Sequence, residues 1–288
     1  MAFSGRLLFP FLTVLALTPC WADEPSLAIV QAGVQASDDA PFASPAYQFY
    51  PGDFLFFTFD VAGFTVKSNP DNDTRRISLK YTITPEDSNS VALAPPATGA
   101  IQAELNPEDK NWTPKRRANF HLPSFVAAGE YHVHAVVEDQ FGKTQIAKDY
   151  PFRIGGIAIR PSPSLSVENF RFFRNPDDRQ PLEVPAYSPG DKIYAKFDMV
   201  GYKFGQDNQY HVAYGLLVTR PDGKPFIRQP NAANLTDTSF YPAQFVPGVL
   251  ELTTPPNSER GAYIIILSVR DLIGNQTYEI KQSFSIEQ

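Results

Sequence analysis

The sequence predicts an all-β fold made of two antiparallel β-sandwich repeats in tandem. Three observations support this fold class: 13% of the residues are aromatic, the 288 residues include 27 prolines, and matched segments recur at a constant spacing. Aromatic residues favour strands, whereas proline breaks helix interiors and is tolerated at turns and sheet edges. A chain of this length is also sufficient for two domains of ordinary size.

The first half of each repeat aligns at an offset of 138 residues. Pro51-Gly52-Asp53 matches Pro189-Gly190-Asp191, and residues 59–64 match residues 197–202. In Pro-Gly-Asp the proline fixes φ, the glycine adopts a conformation that a side chain would forbid, and the aspartate bonds nearby backbone donors. We therefore expect Asp53 and Asp191 to open a strand in each repeat.

The second half of each repeat aligns at an offset of 132 residues. Asp139-x-x-Gly142 matches Asp271-x-x-Gly274, and Asp at the first and Gly at the fourth position are typical of a type I turn. We expect Asp139 and Asp271 to form hairpin tips between the last two strands. Apolar residues alternate along the strand before each tip, as a half-buried strand requires.

A corner motif precedes each of these strands, because Gly129-x-Tyr131 matches Gly261-x-Tyr263. The motif resembles the tyrosine corner of immunoglobulin-like sandwiches, in which the phenol bonds nearby backbone. Together with the turns, it resembles bacterial extracytoplasmic immunoglobulin-like modules over nearly all of both repeats. The resemblance implies structural anchors at Tyr131 and Tyr263, and it implies no antibody-type disulfide, because Val133 and Ile265 occupy the cysteine positions.

The N-terminus predicts export. Residues 1–6 carry one positive charge, residues 7–17 are apolar, and Ala22 is the small residue that a signal peptidase requires. We expect cleavage after Ala22, which yields a periplasmic or secreted protein without a membrane span. The alternative is a lipoprotein signal acylated at Cys20, but Pro19 before it fits that motif poorly.

The predicted domains are therefore a signal peptide at residues 1–22, repeat 1 at 23–155 and repeat 2 at 164–288, joined by a linker at 156–163. Residues 23–155 have a net charge of −6 and residues 156–288 of −1. This balance provides no basic field for nucleic acid. Cleavage would also remove the only cysteine, so the exported fold would depend on core burial alone.

The sequence gives little sign of catalysis. It contains no Gly-x-Ser-x-Gly elbow, no His-Glu-x-x-His and no phosphate-binding glycine loop. Acids at repeat-matched positions, including Asp60 and Asp198, are interpreted as structural caps at turns rather than as acid–base pairs. We predict no catalytic residues, no cofactor and no enzyme activity.

Two metal hypotheses remain open. His132 and His134 project from one face of a predicted strand, and His121 could join them from a preceding strand, although two solvent-facing histidines are the simpler interpretation. Residues 69–74 place oxygen ligands at alternate positions, as a calcium loop does, but they also suit an Asx-rich turn. No metal ligand is assigned.

The repeats differ on their outward faces, and this difference predicts an interface. Phe54 and Phe56 point outward in repeat 1, where repeat 2 has Lys192 and Tyr194. Ile264 and Ile266 are outward in repeat 2. Such apolar faces are covered by another segment, by the sister repeat or by a partner.

The sequence is most consistent with an exported, non-enzymatic binding or structural module that presents loops and sheet faces to a protein or glycan partner. One alternative is a periplasmic chaperone or assembly factor, since pilus chaperones also pair two immunoglobulin-like domains. Those chaperones hold a client terminus with basic residues, and the acidic balance here disfavours that role. The other alternative is the accessory domains of an extracytoplasmic hydrolase.

Overall fold

The fold is all-β and consists of antiparallel β-sandwiches, as predicted. The computed structural model describes residues 26–71, 73–109 and 111–287. The predicted signal peptide, its cleavage site and Cys20 lie outside the described residues. Among the described residues, no helix has the length and apolar character needed to cross a membrane.

The described part of repeat 1 contains eight strands in two sheets, one ordered β1-β2-β6 and the other β3-β4-β7-β8 with β5 paired to β4. The strands are β1 (Ala28–Gln35), β2 (Phe54–Ala62), β3 (Lys67–Asn69), β4 (Thr74–Glu86), β5 (Ala97–Leu105), β6 (Lys115–His121), β7 (Gly129–Asp139) and β8 (Thr144–Ile154).

Repeat 2 also contains eight strands in two sheets, ordered β14-β11-β9 and β10-β16-β15-β12-β13. The strands are β9 (Ser166–Phe173), β10 (Ala186–Tyr187), β11 (Lys192–Val200), β12 (Tyr210–Thr219), β13 (Pro225–Asp237), β14 (Val246–Thr253), β15 (Gly261–Asp271) and β16 (Gln276–Ile286). One short 3₁₀ helix, Gln206–Asn208, precedes β12.

Among the described residues, each repeat has one parallel pairing, and its other strand pairings are antiparallel. Phe49 pairs with Ile154 in repeat 1, and Tyr187 pairs with Ile286 in repeat 2. The amide of Phe49 donates to the Arg153 carbonyl at 2.9 Å, and the amide of Gly155 donates to the Phe49 carbonyl at 2.7 Å. These bonds tie the segment before β2 to the last strand of the repeat.

The predicted strand openings have the same geometry in both repeats. The Asp53 carboxylate accepts the Tyr50 amide at 2.8 Å, and the Asp191 carboxylate accepts the Ser188 amide at 2.8 Å. Each aspartate closes a turn directly before β2 or β11, because the carboxylate satisfies a backbone donor that the turn leaves unpaired.

Each hairpin aspartate accepts hydrogen bonds from the backbone of two different loops. Asp139 Oδ1 accepts the amides of Phe141 and Gly142 at 2.9 and 3.0 Å, while its Oδ2 accepts the Thr65 amide at 2.6 Å. Burial acts to raise the pKa of Asp139, but the hydrogen bonds from Gly142, Thr65 and Phe141 outweigh it, so the pKa is lowered. Asp271 makes the equivalent bonds in repeat 2.

The two corner tyrosines also have equivalent bonds. The Tyr131 hydroxyl donates to the Ala127 carbonyl at 2.8 Å, and the Tyr263 hydroxyl donates to the Glu259 carbonyl at 2.8 Å. Val133 and Ile265, two residues later, are fully buried. Each corner therefore fixes the start of a strand whose next inward residue enters the core.

Glycine is required where β2 and β11 end. Gly63 and Gly201 have φ angles of 68° and 71°. A Cβ at these positions would lie 2.1 Å from the Ser26 carbonyl oxygen and 2.0 Å from the Ser164 carbonyl oxygen. A side chain is therefore excluded both by backbone conformation and by space.

One prediction about buried acids is wrong. Asp60 and Asp198 do not cap turns but lie inside β2 and β11, where they are 7% and 4% exposed. Each faces a bulge in the neighbouring strand, at Gln31 and Asn169, which both have positive φ. Asn169 Nδ2 donates to Asp198 at 2.9 Å, so the bulge brings a donor to this buried carboxylate.

Candidate functional site

The outward phenylalanines of repeat 1 have different environments. Phe54 is 54% exposed and contacts the His121 ring on β6, with 5.1 Å between ring centroids. Phe56 is half-buried and pairs with Gln35 on β1. The Gln35 side chain accepts the Thr58 hydroxyl at 2.5 Å. The last residue of β1 thus contacts this face, while Phe54 stays open to solvent.

The outward isoleucines of repeat 2 lie on the other half of the molecule. Ile264 is 40% exposed and Ile266 is half-buried, both on β15. Ile264 lies seven residues from Asp271 along this strand, or about 24 Å at roughly 3.4 Å per residue. The Asp271 end is the one near repeat 1, because the Lys203 amide donates to Asp271 and the adjacent Tyr202 lines a cavity together with Asp87 and Ala127 of repeat 1.

The junction between the repeats is closed by a buried polar network. Tyr241, from the loop before β14, is 3% exposed and packs in the core of repeat 1. Its hydroxyl donates to Asp87 Oδ2 at 3.0 Å and accepts from Gln244 Nε2 at 2.7 Å. Burial, and next the charge of Asp87, raise the pKa of Tyr241, so the hydroxyl retains its proton.

The same junction is also joined through backbone and rings. Gln244 Oε1 accepts the Ala127 amide at 2.6 Å, and the Gln244 amide donates to the Phe125 carbonyl at 2.9 Å. The rings of Phe125 and Phe245 meet edge to face at 6.0 Å. Since Phe125 packs against the core of repeat 2, each repeat contributes one aromatic side chain to its neighbour's core.

A cleft of about 450 Å³ opens at the edge of the repeat 1 sandwich. Its wall is Tyr47, which is 41% exposed, and its floor is Phe49 and Phe152. The rim carries an ion pair between Arg153 and Glu130 at 2.7 Å. The volume and the mixture of aromatic and polar groups are those of a small-ligand site.

The exposed ring of Tyr47 is held in place by a series of aromatic contacts. Tyr47 meets Phe49 edge to face at 4.9 Å, Phe49 meets Phe152 at 5.9 Å, and Phe152 stacks on Tyr131 at 5.9 Å. Burial, and next the charge of Asp87, raise the pKa of Tyr131 to about 12. The cleft wall is thus connected to the corner anchor and needs little ordering to bind a ligand.

The histidine pair has acidic neighbours on adjacent strands. His134 Nδ1 lies 2.6 Å from Asp149 Oδ1 on β8, and His132 Nε2 lies 3.6 Å from Glu86 Oε2 on β4. The suggestion that His121 joins this pair is wrong, because His121 is on β6 in the other sheet. No group of three or more His, Cys, Asp or Glu side chains in the described ranges is arranged to hold a metal ion.

Sequence reasoning missed the residues that complete these sites. Tyr241 and Asp87 are 154 residues apart and belong to unmatched loops. Glu86 and Asp149 reach the histidines only through the pairing of β4, β7 and β8. For Tyr47 there was a usable signal, since it lies in an aromatic-rich segment between β1 and β2. The calcium hypothesis at 69–74 includes residue 72, which lies outside the described ranges.

Comparison with known proteins gave no family. No family model matches the chain, and no curated protein matches it. Solved structures that resemble it include the C-terminal domain of the antigen I/II-family protein AspA of Streptococcus pyogenes, with 10% identity over 88% of this chain and 99% of that one. The C-terminal domain of the AgI/II polypeptide BspA of Streptococcus agalactiae has 10% identity over 89% and 99%. The TM-scores are 0.29 and 0.28, too low to support an argument about function.

Proposed function

We propose that this chain is an exported, non-enzymatic binding module with two immunoglobulin-like domains, at residues 23–155 and 164–288, and that it contacts a glycan through the cleft of repeat 1. The observation that carries the proposal is the Tyr47 cleft. It combines a fixed, partly exposed aromatic ring with the Arg153–Glu130 pair at its rim.

The chemistry of this cleft suits a sugar ring. A pyranose presents an apolar C–H face, which packs on an aromatic ring, and hydroxyl groups that both donate and accept hydrogen bonds. Tyr47 supplies the ring, Arg153 supplies only donors, and the Glu130 carboxylate supplies only acceptors. The cleft volume of about 450 Å³ is large enough for a ligand of one or two rings.

The junction geometry supports a module with a fixed shape. Buried and partly buried hydrogen bonds and a pair of aromatic side chains join the two repeats, and rotation of one repeat against the other would leave these polar groups unpaired. The chaperone alternative requires a basic cleft for a client terminus, and the cavity at this junction contains Arg160 together with the acidic Asp87. We therefore favour display of the repeat 1 cleft on a rigid support.

A glycan array tests the proposal. The exported protein is compared with Tyr47→Ala, which removes the cleft wall, and with Tyr50→Ala as the matched control. Tyr50 is 55% exposed and does not line the cleft. We expect retention of a defined glycan class by the wild type and by Tyr50→Ala, and its loss in Tyr47→Ala. If the wild type retains no glycan and instead captures a protein from envelope extract, the glycan proposal is wrong and the ligand is a protein.

A further inference from the structure

A cavity of about 870 Å³ lies on the outer face of the β14-β11-β9 sheet of repeat 2. The linker at residues 156–158 lines one part of it, the loop at residues 176–179 lines another, and residues of the three strands line the rest. Its volume is within the range of small-ligand sites. It shares no lining residue with the Tyr47 cleft, so it is a separate cavity on the other repeat.

Strand register places two positive charges side by side in this cavity. Lys196 on β11 is directly opposite Arg171 on β9, and opposed residues of an antiparallel pair have Cβ atoms about 4.5–5.5 Å apart. Like charges in such positions destabilise a sheet. Arg179, from the loop after β9, lines the same cavity. The cavity thus gathers three positive charges, two of which repel each other across the strands.

Three acids also line the cavity, but they do not pair with the three cations. In the part of the chain that the structure describes, no Asp or Glu side-chain oxygen lies within 4.0 Å of a side-chain nitrogen of these cations. Asp178 Oδ2 instead accepts the Asn175 amide at 2.9 Å. Asp198 Oδ2 accepts Asn169 Nδ2 at 2.9 Å. The third acid, Asp177, is exposed. The cations are therefore available to an anion from outside the chain.

The lysine ammonium is held in a defined position. Lys196 Nζ lies 4.6 Å from the centroid of the buried Phe173 ring and donates to the Asp178 carbonyl at 3.4 Å. An ammonium has three N–H donors, and this is the one hydrogen bond that Lys196 Nζ makes to the described residues. Two donors on a half-buried ammonium therefore remain for a ligand.

The sister repeat shows that this pair of charges is not needed for the fold. Thr58 and Gly33 occupy the positions that match Lys196 and Arg171, and they are opposite each other in the same way. A Cβ on Gly33 would lie 3.0 Å from the Phe42 ring. An aromatic ring thus covers the uncharged pair in repeat 1, whereas the charged pair in repeat 2 lines an open cavity.

We propose that this cavity binds an acidic saccharide whose carboxylate lies between Lys196 and Arg171. Charge-assisted hydrogen bonds to one carboxylate offset the repulsion between the two cations. The exposed Asp177 carboxylate is an acceptor for sugar hydroxyls, and Ile157 and Val249, which are 45% and 52% exposed, offer apolar surface to the C–H face of the ring. An inorganic anion would leave the acceptor and the apolar surface unused, and an acidic peptide side chain lacks the hydroxyl donors.

Isothermal titration with an oligogalacturonate tests the site, and the methyl-esterified oligomer of the same length is the neutral control ligand. We expect saturable binding of the acid and none of the ester. Arg171→Gln should weaken binding about 10–100-fold, because a hydrogen bond to a charged group is lost. Lys196→Thr combined with Arg171→Gln should abolish it. Lys192→Thr is the matched control, because Lys192 is on the same strand but pairs with Glu251 at 2.6 Å and does not line the cavity.

Thermal unfolding separates loss of binding from loss of folding. Without ligand, the double variant should melt at or above the wild-type temperature, because the like-charge pair is removed. Oligogalacturonate should raise the melting temperature of the wild type and of Lys192→Thr, and leave that of the double variant unchanged. Tyr47→Ala should bind as the wild type does, because this inference goes beyond the contact proposed for repeat 1 and does not depend on it.

Three results would overturn the site. They are the absence of saturable oligogalacturonate binding by the wild type, unchanged binding by a folded double variant, and binding of the methyl ester or of polyglutamate as tight as that of the acid. The last result would show that the cavity recognises no acidic sugar, even if it attracts charge.

Discussion

Replacing Tyr241 with phenylalanine removes one oxygen atom from the junction and leaves the ring in place. The hydroxyl has two partners, the Asp87 carboxylate at 3.0 Å and the Gln244 amide at 2.7 Å. Asp87 is 8% exposed, so water cannot easily replace the lost donor. The variant therefore leaves a buried carboxylate oxygen and a partly buried amide donor without this partner.

The loss of stability expected for Tyr241→Phe follows from these two hydrogen bonds. A hydrogen bond to a charged group contributes about 1.5–3 kcal/mol and a neutral one about 1 kcal/mol. We expect Tyr241→Phe to destabilise the junction by about 2–4 kcal/mol, because the Asp87 carboxylate stays buried and the Gln244 amide is only partly exposed. The effect should be local at first, since the ring still fills its position in the core of repeat 1.

Hydrogen exchange is the sharpest assay for this effect. Asp87 Oδ1 accepts the amides of Asn89 and Val91 at 2.8 and 3.0 Å, and Gln244 accepts the Ala127 amide. These three amides should exchange faster in Tyr241→Phe, by about tenfold for every 1.4 kcal/mol of lost stability. Urea denaturation provides the corresponding global measurement.

Tyr263→Phe is the matched control, because it removes a hydroxyl that donates to Glu259 within repeat 2. It should lower the stability of repeat 2 and leave exchange at Ala127 unchanged. If Tyr241→Phe leaves all three amides and the urea midpoint as in the wild type, the network does not hold the junction and our account of its rigidity is wrong.

Three further predictions concern substitutions of two core residues, of a hairpin aspartate and of the outward phenylalanines. Truncation of Val133 or Ile265 to Ala should cost about 2–4 kcal/mol each through a cavity, measured by urea denaturation; a cost under about 1 kcal/mol would show that neither is a core anchor. Asp139→Asn should cost about 1–3 kcal/mol at neutral pH. The pKa of Asp139 is lowered in the fold. Its stabilisation is therefore fully present above the unfolded pKa of about 3.9 and is lost as pH falls through the folded pKa. The difference in stability between Asp139→Asn and the wild type should accordingly shrink in acid. Phe54→Lys with Phe56→Thr should keep repeat 1 folded by circular dichroism and lose any protein partner held at this face; unchanged partners in a pulldown and unchanged compactness in solution scattering would assign the face no binding role.

Local, duplicated features were readable from the sequence. Asp139 and Asp271 recur with their glycines at a fixed offset, and one carboxylate oxygen of each accepts amides two and three residues later, so sequence spacing predicts the hairpin tips. Their second contacts, with the amides of Thr65 and Lys203, depend on long-range packing. The all-β prediction depends on the same property, because alternation along β7 and β15 reports burial directly.

Features that depend on long-range pairing were not readable. The Asp149 partner of His134 is set by the register of β7 and β8, and a shift of one residue would place that side chain on the opposite face. The Tyr241–Asp87 contact depends on how one repeat docks on the other. Asp60 was misassigned to a turn because the bulge at Gln31, which it faces, leaves no mark in the composition.

The parallel pairing of Phe49 with Ile154 has a mechanical consequence. When the chain is pulled at Phe49 and at the end of β8, these parallel neighbours move in opposite directions, so the two bonds that join them are loaded in shear. The pairing of Tyr187 with Ile286 places an equivalent clamp in repeat 2, where Ser285 and Glu287 bond the facing segment at 2.9 and 2.8 Å. Forced unfolding is governed by the unfolding rate and not by the equilibrium free energy. We therefore expect each repeat to resist stretching by more than its equilibrium stability alone would indicate.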